Sequence, residues 1–334
     1  MYRRIINDNT SFTELMRPNY FSLNKLKSRT GVSSSEKLET VLKKVVFEAT
    51  KGKKCAIALS GGIDSAILAK FMPKGSLAYT FKCIVPGIDV IDESKQAAKY
   101  AEECGLEHRV IEIYWEDFEK YSDSLMKKKG APIHSIEVQI YKAALQAKKD
   151  GIENFVFGES ADCIFGGLDG LLSKEWTVGE FVNRYSYCLP YYVLNNFEMD
   201  ISPILRHADN GYVDVHSFLN DVFCQESLSS YYNACSLAKI EMIAPFSFAY
   251  MKNPLDYERV RNSDSKYLVR EIFNKYYPTY IAPRKIPMPR PMNEWLLNWS
   301  GPTRSEFQPH CIEKLTGDQK WLVYILERFL NLIE

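Results

Sequence analysis

The feature that most restricts this chain is the hexapeptide Ser60-Gly61-Gly62-Ile63-Asp64-Ser65, set between the short apolar run Cys55 to Leu59 and the helix-compatible stretch Ala66 to Phe71. A strand, a glycine turn and a helix in that order make the ligand-facing corner of an α/β sheet. At such a corner the helix start offers unpaired N–H groups and a partial positive charge, which suits an anion. Gly61 and Gly62 let the backbone turn tightly and approach phosphate oxygens with no Cβ in the way, while Ser60 and Ser65 supply hydroxyls. The two better-known phosphate loops are absent: the chain contains neither GxxxxGKS or GxxxxGKT nor GxGxxG. What sets this loop apart is Asp64. A carboxylate beside bound phosphate is repelled unless a divalent cation lies between them, so Asp64 predicts Mg²⁺. The plainer alternative is an acid in a first helical turn, favourable to the dipole and otherwise idle.

The strand–helix unit recurs along the chain. Leu77 to Cys83 and Glu107 to Ile113 read as strands, and Asp92 to Cys104 as a helix ended by Gly105. Ser135 to Lys149 reads as a helix and Asn154 to Phe157 as another strand. Short apolar strands alternating with helices predict a doubly wound parallel sheet covered on both faces. Before it, residues 1–45 form an N-terminal appendage leading into an entry helix, Ser35 to Thr50, with Leu38, Val41, Leu42, Val45 and Val46 at helical spacing. Residues 46–170 hold the α/β core. Residues 171–334 read as a mainly helical part, broken by the Pro-rich loop Pro283 to Pro291 and closed by a helix from Gln319 to about Leu332. Its aromatic residues, from Phe181 through Tyr185, Tyr187, Tyr191, Tyr192 and Phe197 to Tyr231 and Tyr232, read as packing core, because no basic residues interleave with them.

A second polar cluster, Gly158-Glu159-Ser160-Ala161-Asp162 followed by Phe165-Gly166-Gly167, comes directly after the Asn154 to Phe157 strand. It therefore falls at a strand's carboxyl end, as the first loop does. Asp162 could share the metal with Asp64, leaving Glu159 free as an acid or base. Taken alone, the cluster is equally a solvated loop with two surface acids.

Composition removes several classes. The 42 basic residues balance 42 acidic ones, so no overall field draws the chain to nucleic acid or an anionic membrane. No apolar run is long enough to span a bilayer, and the first 17 residues lack the apolar core of a signal peptide. A soluble cytoplasmic protein with no nucleic-acid and no membrane partner is expected. Eight cysteines, without CxxC or framework spacing, are expected to be reduced apolar fillers.

With both loops in view, the sequence resembles the C-terminal synthetase domain of the asparagine synthetase family, in the ATP pyrophosphatase superfamily with its SGGxDS loop. FKCIVPG at 81–87 resembles the family strand ending in Pro-Gly, and Asp92-Glu93 opens the helix expected next. GESADCIFGG at 158–167 is similar to the family's GEGADExFGG. Pro245-Phe246, SKYLVREIF at 265–273, Arg284 to Met288 and Trp295-Leu296 follow in order, so the resemblance runs from about 40 to 330. Two departures stand out: Cys163 replaces the Glu after the second Asp, and Pro245-Phe246-Ser247-Phe248 lacks the Asp of a PFLD-like segment.

The resemblance implies an adenine nucleotide alpha-hydrolase-like fold, ATP as co-substrate and Mg²⁺. It assigns Leu59, Cys83 and Gly158 to the adenosine pocket, and Ser60, Gly61, Gly62 and Ser65 to pyrophosphate. Asp64 and Asp162 match the magnesium ligands, Glu159 the residue that assists ammonia attack, and Lys285 the lysine that faces the α-phosphate. Lys266 and Arg270, spaced i, i+4 on a helix, are further candidates for phosphate contact. The implied activity is that of an AMP-forming carbon–nitrogen ligase acting on a small-molecule carboxylate and ammonia or an amine. Tyr2 stands where a glutaminase would need its cysteine, and only 59 residues precede the loop, so the chain is expected to lack that domain. The nitrogen source then includes free ammonia, an amine or a separate glutaminase subunit, and homodimerisation is left open. Alternatives are a lactam-forming synthetase of the same family, a tRNA- or nucleobase-modifying ATP pyrophosphatase, and a catalytically silent nucleotide-binding subunit. Glu159 favours the intermolecular reaction, because lactam-forming relatives tend to place Tyr there.

Overall fold

Along the chain run strand β1 (Thr30–Val32), helix α1 (Ser35–Thr50), β2 (Cys55–Ala58), α2 (Ile63–Ala69), β3 (Leu77–Cys83), α3 (Ser94–Cys104), β4 (Glu107–Ile113), α4 (Trp115–Lys129), α5 (Ile136–Lys149), β5 (Asn154–Val156) and α6 (Ala161–Ile164). The computed structural model describes residues 5–6, 10–13, 16–26, 28–283 and 287–334. Beyond α6 the chain is mostly helical: α7 (Asp169–Leu172), α8 (Val178–Tyr185), α9 (Ser202–Leu205) and α10 (Val215–Phe218) lead to the longer α11 (Cys224–Leu237). A small hairpin, β6 (Ala208–Asp209) and β7 (Tyr212–Val213), lies between α9 and α10. After α11 come β8 (Glu241–Ile243), β9 (Ala249–Met251), α12 (Tyr257–Arg261), α13 (Tyr267–Tyr276), α14 (Met292–Trp295) and α15 (Gly317–Ile333).

The central sheet is parallel throughout, in the order β4-β3-β2-β5-β8. The inner strands β2 and β5 read as apolar runs because both their faces are buried, whereas the edge strand β4 carries four polar residues and buries only Ile113. Ile57, Ala78 and Val156 point to one face and Ala56, Tyr79 and Phe155 to the other, all with no exposure. The first face is covered by α1, α2, α3 and α13 through Leu42, Ile67, Tyr100 and Phe273. The second is covered by α4, α5, α11 and α15 through Phe118, Ile140, Ala234 and Trp321. The fold is thus the expected α/β doubly wound parallel sheet with a mainly helical C-terminal part, and that part also contributes the fifth strand, β8. Strand order reverses between β2 and β5: β3 and β4 extend the sheet one way, β5 and β8 the other. Ligands of such sheets bind at the carboxyl edge of that reversal.

Predicted and observed elements agree closely over α1, β3 and β4. Helix α4 was not expected. Its charged residues mask a buried face of Phe118, Leu125 and Met126, and its start is fixed by Asp117, whose Oδ2 accepts the Tyr114 N–H at 2.8 Å. Gly130 closes it at φ 68°, and a Cβ there would lie 1.9 Å from the Arg17 carbonyl oxygen. The segment before α1 is bound to later chain: β1 pairs in parallel with β9, and Arg29 donates to the carbonyls of Ser247 and Ala249. The aromatic stretch divides. Phe181 and Tyr185 stack at 5.7 Å and Tyr231 packs edge-on against Phe157, as core. By contrast Tyr187, Tyr191, Tyr192 and Phe197 are exposed, so these four are not the packing core the sequence predicts. All eight cysteines are free thiols; six are buried, and Cys188 and Cys311 half-buried. Among the described residues no helix is long and apolar enough to cross a membrane.

Candidate functional site

Both motifs come to the carboxyl edge of the sheet at the reversal between β2 and β5. The turn after β2 is closed by its own hydroxyls. Ser60 Oγ accepts the Gly62 N–H at 3.1 Å, and Ser65 Oγ accepts the Ser60 N–H at 3.1 Å. The two hydroxyls stand 3.0 Å apart. Neither Gly61 nor Gly62 has a positive φ, so neither is required by backbone conformation. Their value is proximity: a Cβ on Gly62 would stand 3.3 Å from Ser60 Oγ, and one on Gly61 would stand 3.4 Å from Glu93 Oε1. An arriving anion would exchange these internal hydrogen bonds for its own.

The two aspartates converge on one cation. Lys266 Nζ donates to Asp64 Oδ1 at 2.9 Å and Oδ2 at 2.7 Å, and pairs with Asp162 Oδ1 at 3.0 Å. The Lys266 side chain is 7% exposed. Burial works against its charged form, but the Asp162 and Asp64 carboxylates outweigh it and hold the ammonium above the ordinary lysine range. Glycines make room for this meeting. A Cβ on Gly167 would lie 2.2 Å from Asp162 Oδ1 and 2.6 Å from Lys266 Cδ, and one on Gly158 would lie 3.0 Å from the Ser65 nitrogen and 3.1 Å from Asp64 Cβ. Two aspartates that already share a cation are a donor set that fits a divalent ion. No group of three or more His, Cys, Asp or Glu side chains suited to a metal occurs among the described residues.

Glu159 is half-buried and held by hydrogen bonds. Its Oε1 accepts the Ser227 hydroxyl at 2.8 Å, and Tyr231, one turn further along α11, also bonds to it. Burial pushes the Glu159 carboxyl up, against the bonds from Ser227, the Ser160 N–H and Tyr231. Helix α11 is itself fixed from the next face, where Ser230 Oγ donates to Glu137 Oε1 at 3.1 Å. Glu137 in turn forms a fully buried pair with Lys129 at 2.6 Å. Ser160 sits at φ 77°, a left-handed position where the family pattern has glycine. Cys163, in place of the family's Glu, is buried and donates its thiol to the Ser160 carbonyl at 3.3 Å. Where the PFLD-like Asp would be stands Phe248, half-buried at the end of the turn Pro245–Phe248, and the Ser247 before it is buried and donates to the Ala244 carbonyl at 2.7 Å.

The remaining candidates separate. Leu59 is buried, with its N–H given to the Tyr79 carbonyl and its own carbonyl taken by Thr80 Oγ1. Cys83 ends β3 and donates its thiol to the Pro289 carbonyl at 3.2 Å, an acceptor shared with Gln139 Nε2 at 3.0 Å. That bond ties the end of the Pro-rich loop to this sheet edge. Lys285, within that loop, lies outside the described residues. Arg270 does not accompany Lys266: it turns back to the Ser265 carbonyl at 2.7 Å. Lys266 has φ 55° and precedes α13 as its N-cap, so the two residues do not share the i, i+4 face expected of them.

Three residues were missed as site residues. Ser227 and Tyr231 carried a signal, being i, i+4 on one helix, but their partner is distant in sequence. Glu93 was read only as a helix opener. It overlooks Gly61, and burial, aided by the charge of Asp92, pushes its carboxyl up to about 7. A surface pocket of about 230 Å³ among Gly301, Arg304, Phe307, Gln308 and Ile312 is lined by none of the residues expected at the site.

The arrangement therefore offers an anion cradle, two acids suited to a cation and a tethered carboxyl within one sheet edge. The sequence model of the asparagine synthase family matches residues 37–233. A curated protein of Methanocaldococcus jannaschii, "Putative asparagine synthetase (glutamine-hydrolyzing) 1", is 29% identical over 149 residues, covering 43% of this chain and 27% of that protein. The chain thus matches about a quarter of that relative's length. Among solved structures, the NH3-dependent NAD synthetase of Campylobacter jejuni has a TM-score of 0.27 and 15% identity over 40% of this chain and 61% of that one. NMN synthetase of Francisella tularensis has a TM-score of 0.30 and 13% identity over 76% of this chain and 99% of that one. Likeness at these scores carries no argument about chemistry.

Proposed function

Because this chain belongs to the asparagine synthase family, we propose that it is an ATP-dependent amide-forming ligase: it adenylates a small carboxylate, releases pyrophosphate, and passes the acyl group to ammonia or an amine, releasing AMP. The observation that carries this reading is the convergence on one cation at the β2/β5 reversal of Asp64, from the pyrophosphate-type loop, and Asp162, from the turn that also carries Glu159.

In the first step a substrate carboxylate oxygen bonds to the α-phosphorus as the bond to the bridging β-oxygen breaks. Ser60, Ser65 and the loop amides receive the departing pyrophosphate, each trading an internal hydrogen bond for one to a phosphate oxygen. Asp64 and Asp162 are the residues that would hold Mg²⁺, which when bound supplies positive charge against the phosphate oxygens. In the second step nitrogen attacks the acyl carbon and the bond to AMP breaks. Glu159, aimed by Ser227 and Tyr231, accepts the proton the nitrogen loses; burial raises its basicity toward that role. Lys285 is assigned to the α-phosphate on the family pattern alone.

The test is ATP–pyrophosphate exchange against carboxylate panels, with and without ammonium, followed by mass spectrometry of the product. Asp64→Asn should abolish pyrophosphate release, and release that persisted would remove Asp64 from the metal site. Glu159→Gln should leave exchange intact while slowing amide formation; equal loss of both would give Glu159 another role.

A further inference from the structure

We infer that Lys266 is a built-in counter-cation that takes the divalent ion's place between Asp64 and Asp162 until nucleotide arrives, so that metal and ATP bind as a coupled pair. The inference rests on the reading that these two aspartates are the metal ligands. Three observations carry it. One ammonium bonds to both acids, at 2.7, 2.9 and 3.0 Å, which is the bridging position a shared metal would take. The position is built for it: Gly167 has no Cβ where Asp162 Oδ1 and Lys266 Cδ pass, and Lys266 takes a left-handed backbone at the head of α13 to deliver its side chain. Finally, the lysine is nearly enclosed, with its side chain 7% exposed.

The electrostatics follow from that geometry. Two carboxylates held this close repel unless a cation lies between them, and Lys266 supplies one in the absence of ligands. A divalent ion entering alone must evict the ammonium, which would then stand in an enclosed place without a counter-charge, an unfavourable exchange. ATP changes the balance. Its phosphate oxygens offer the displaced ammonium a new charge-assisted partner within reach of a flexible lysine stem. Metal binding thus becomes favourable together with nucleotide, and by linkage each ligand strengthens the other by the same factor.

The experiment titrates Mn²⁺ into the full chain, followed by electron paramagnetic resonance or calorimetry, with and without a non-hydrolysable ATP analogue, for wild type, Lys266→Met and Lys266→Gln. Wild type is expected to bind Mn²⁺ weakly alone and more tightly with the analogue. Lys266→Met should bind Mn²⁺ alone about tenfold more tightly than wild type or better, with a smaller gain from the analogue, and Lys266→Gln should fall between. Circular dichroism confirms that each variant is folded. Folded variants that bind Mn²⁺ alone no better than wild type overturn the inference while leaving the metal assignment in place. So does wild type that binds Mn²⁺ alone as tightly as with the analogue, a result that needs no variant. Failure of every protein to bind Mn²⁺ under either condition overturns both the inference and the metal assignment beneath it.

Discussion

The hydroxyl of Ser227 donates to Glu159 Oε1 across 2.8 Å and 68 residues of sequence. A carboxylate held this way has one oxygen committed and the other aimed, and Tyr231 from the next turn adds a second restraint. Ser227→Ala should slow amide formation by about tenfold, the worth of one hydrogen bond to a charged group, while leaving ATP–pyrophosphate exchange near wild type. Tyr231→Phe should act in the same direction. Partition of a single turnover between acyl-adenylate and amide measures both. A proportional loss of exchange would mean that α11 supports the whole site and not Glu159 in particular.

Gly167 is where the site tolerates least. A methyl group there would meet Asp162 Oδ1 at 2.2 Å and Lys266 Cδ at 2.6 Å. Gly167→Ala should cost about 1–3 kcal/mol of stability, as overpacking does, and reduce pyrophosphate release by more than about tenfold. Gly179 in α8 has nothing within 4 Å of its Cβ position, so Gly179→Ala is the matched control and should be neutral or slightly stabilising. Urea denaturation and pyrophosphate release on both variants check the contrast.

Glu93 gives the site a pH dependence. Its carboxyl is raised from the ordinary 4.5 to about 7, so it is mostly neutral below that value and charged above it. Charged Glu93 over the Gly61 turn opposes an arriving phosphate. The KM for ATP should therefore rise by a factor on the order of 3 as pH increases from about 6 to about 8. Glu93→Gln should flatten that profile. A wild-type profile unchanged by the substitution would assign the dependence elsewhere.

Acid should loosen the contact of α1 with α13. Burial pushes the Glu39 carboxyl up, but hydrogen bonds from Lys275, Lys43 and Tyr276 prevail and hold it at about 2, against 4.5 ordinarily. A lowered folded-state value means that the stabilisation is fully present above the unfolded value and fades as pH falls from about 4.5 through about 2. Both lysines are about half exposed, so the discounted effect is on the order of 1 kcal/mol. The urea midpoints of wild type and Glu39→Gln should differ near neutral pH and converge toward pH 2.

Much of this was legible before the structure. β3 reads to the residue because a mostly apolar seven-residue run bounded by turns admits few other conformations, and β4 because its Val110, Ile111 and Ile113 are β-branched and favour strand. The two loops reach one edge because parallel strands with intervening helices put every strand's carboxyl end on the same side. Strand β8 was not legible, since three residues between two helices carry almost no periodicity and pair only because β5 presents an open edge. Lys266 was assigned to a helix face because its neighbours read as helix, but a left-handed φ at that one residue redirects the side chain away from Arg270 and into the acids. The tether on Glu159 depends on how α11 crosses the sheet. Local pattern says nothing of that crossing.

Lys266 reaches Asp64 from 202 residues further along the chain, and strand β8 joins the sheet only after α11 has been passed. While the protein is being synthesised, the two aspartates can therefore come to the sheet edge well before the ammonium that keeps them together. During that interval the edge lacks the Lys266 ammonium, and its closure must await a contact of very long sequence separation. This edge is thus expected among the last parts of the molecule to become native, and divalent ions in the refolding medium should speed that final step by standing in for Lys266.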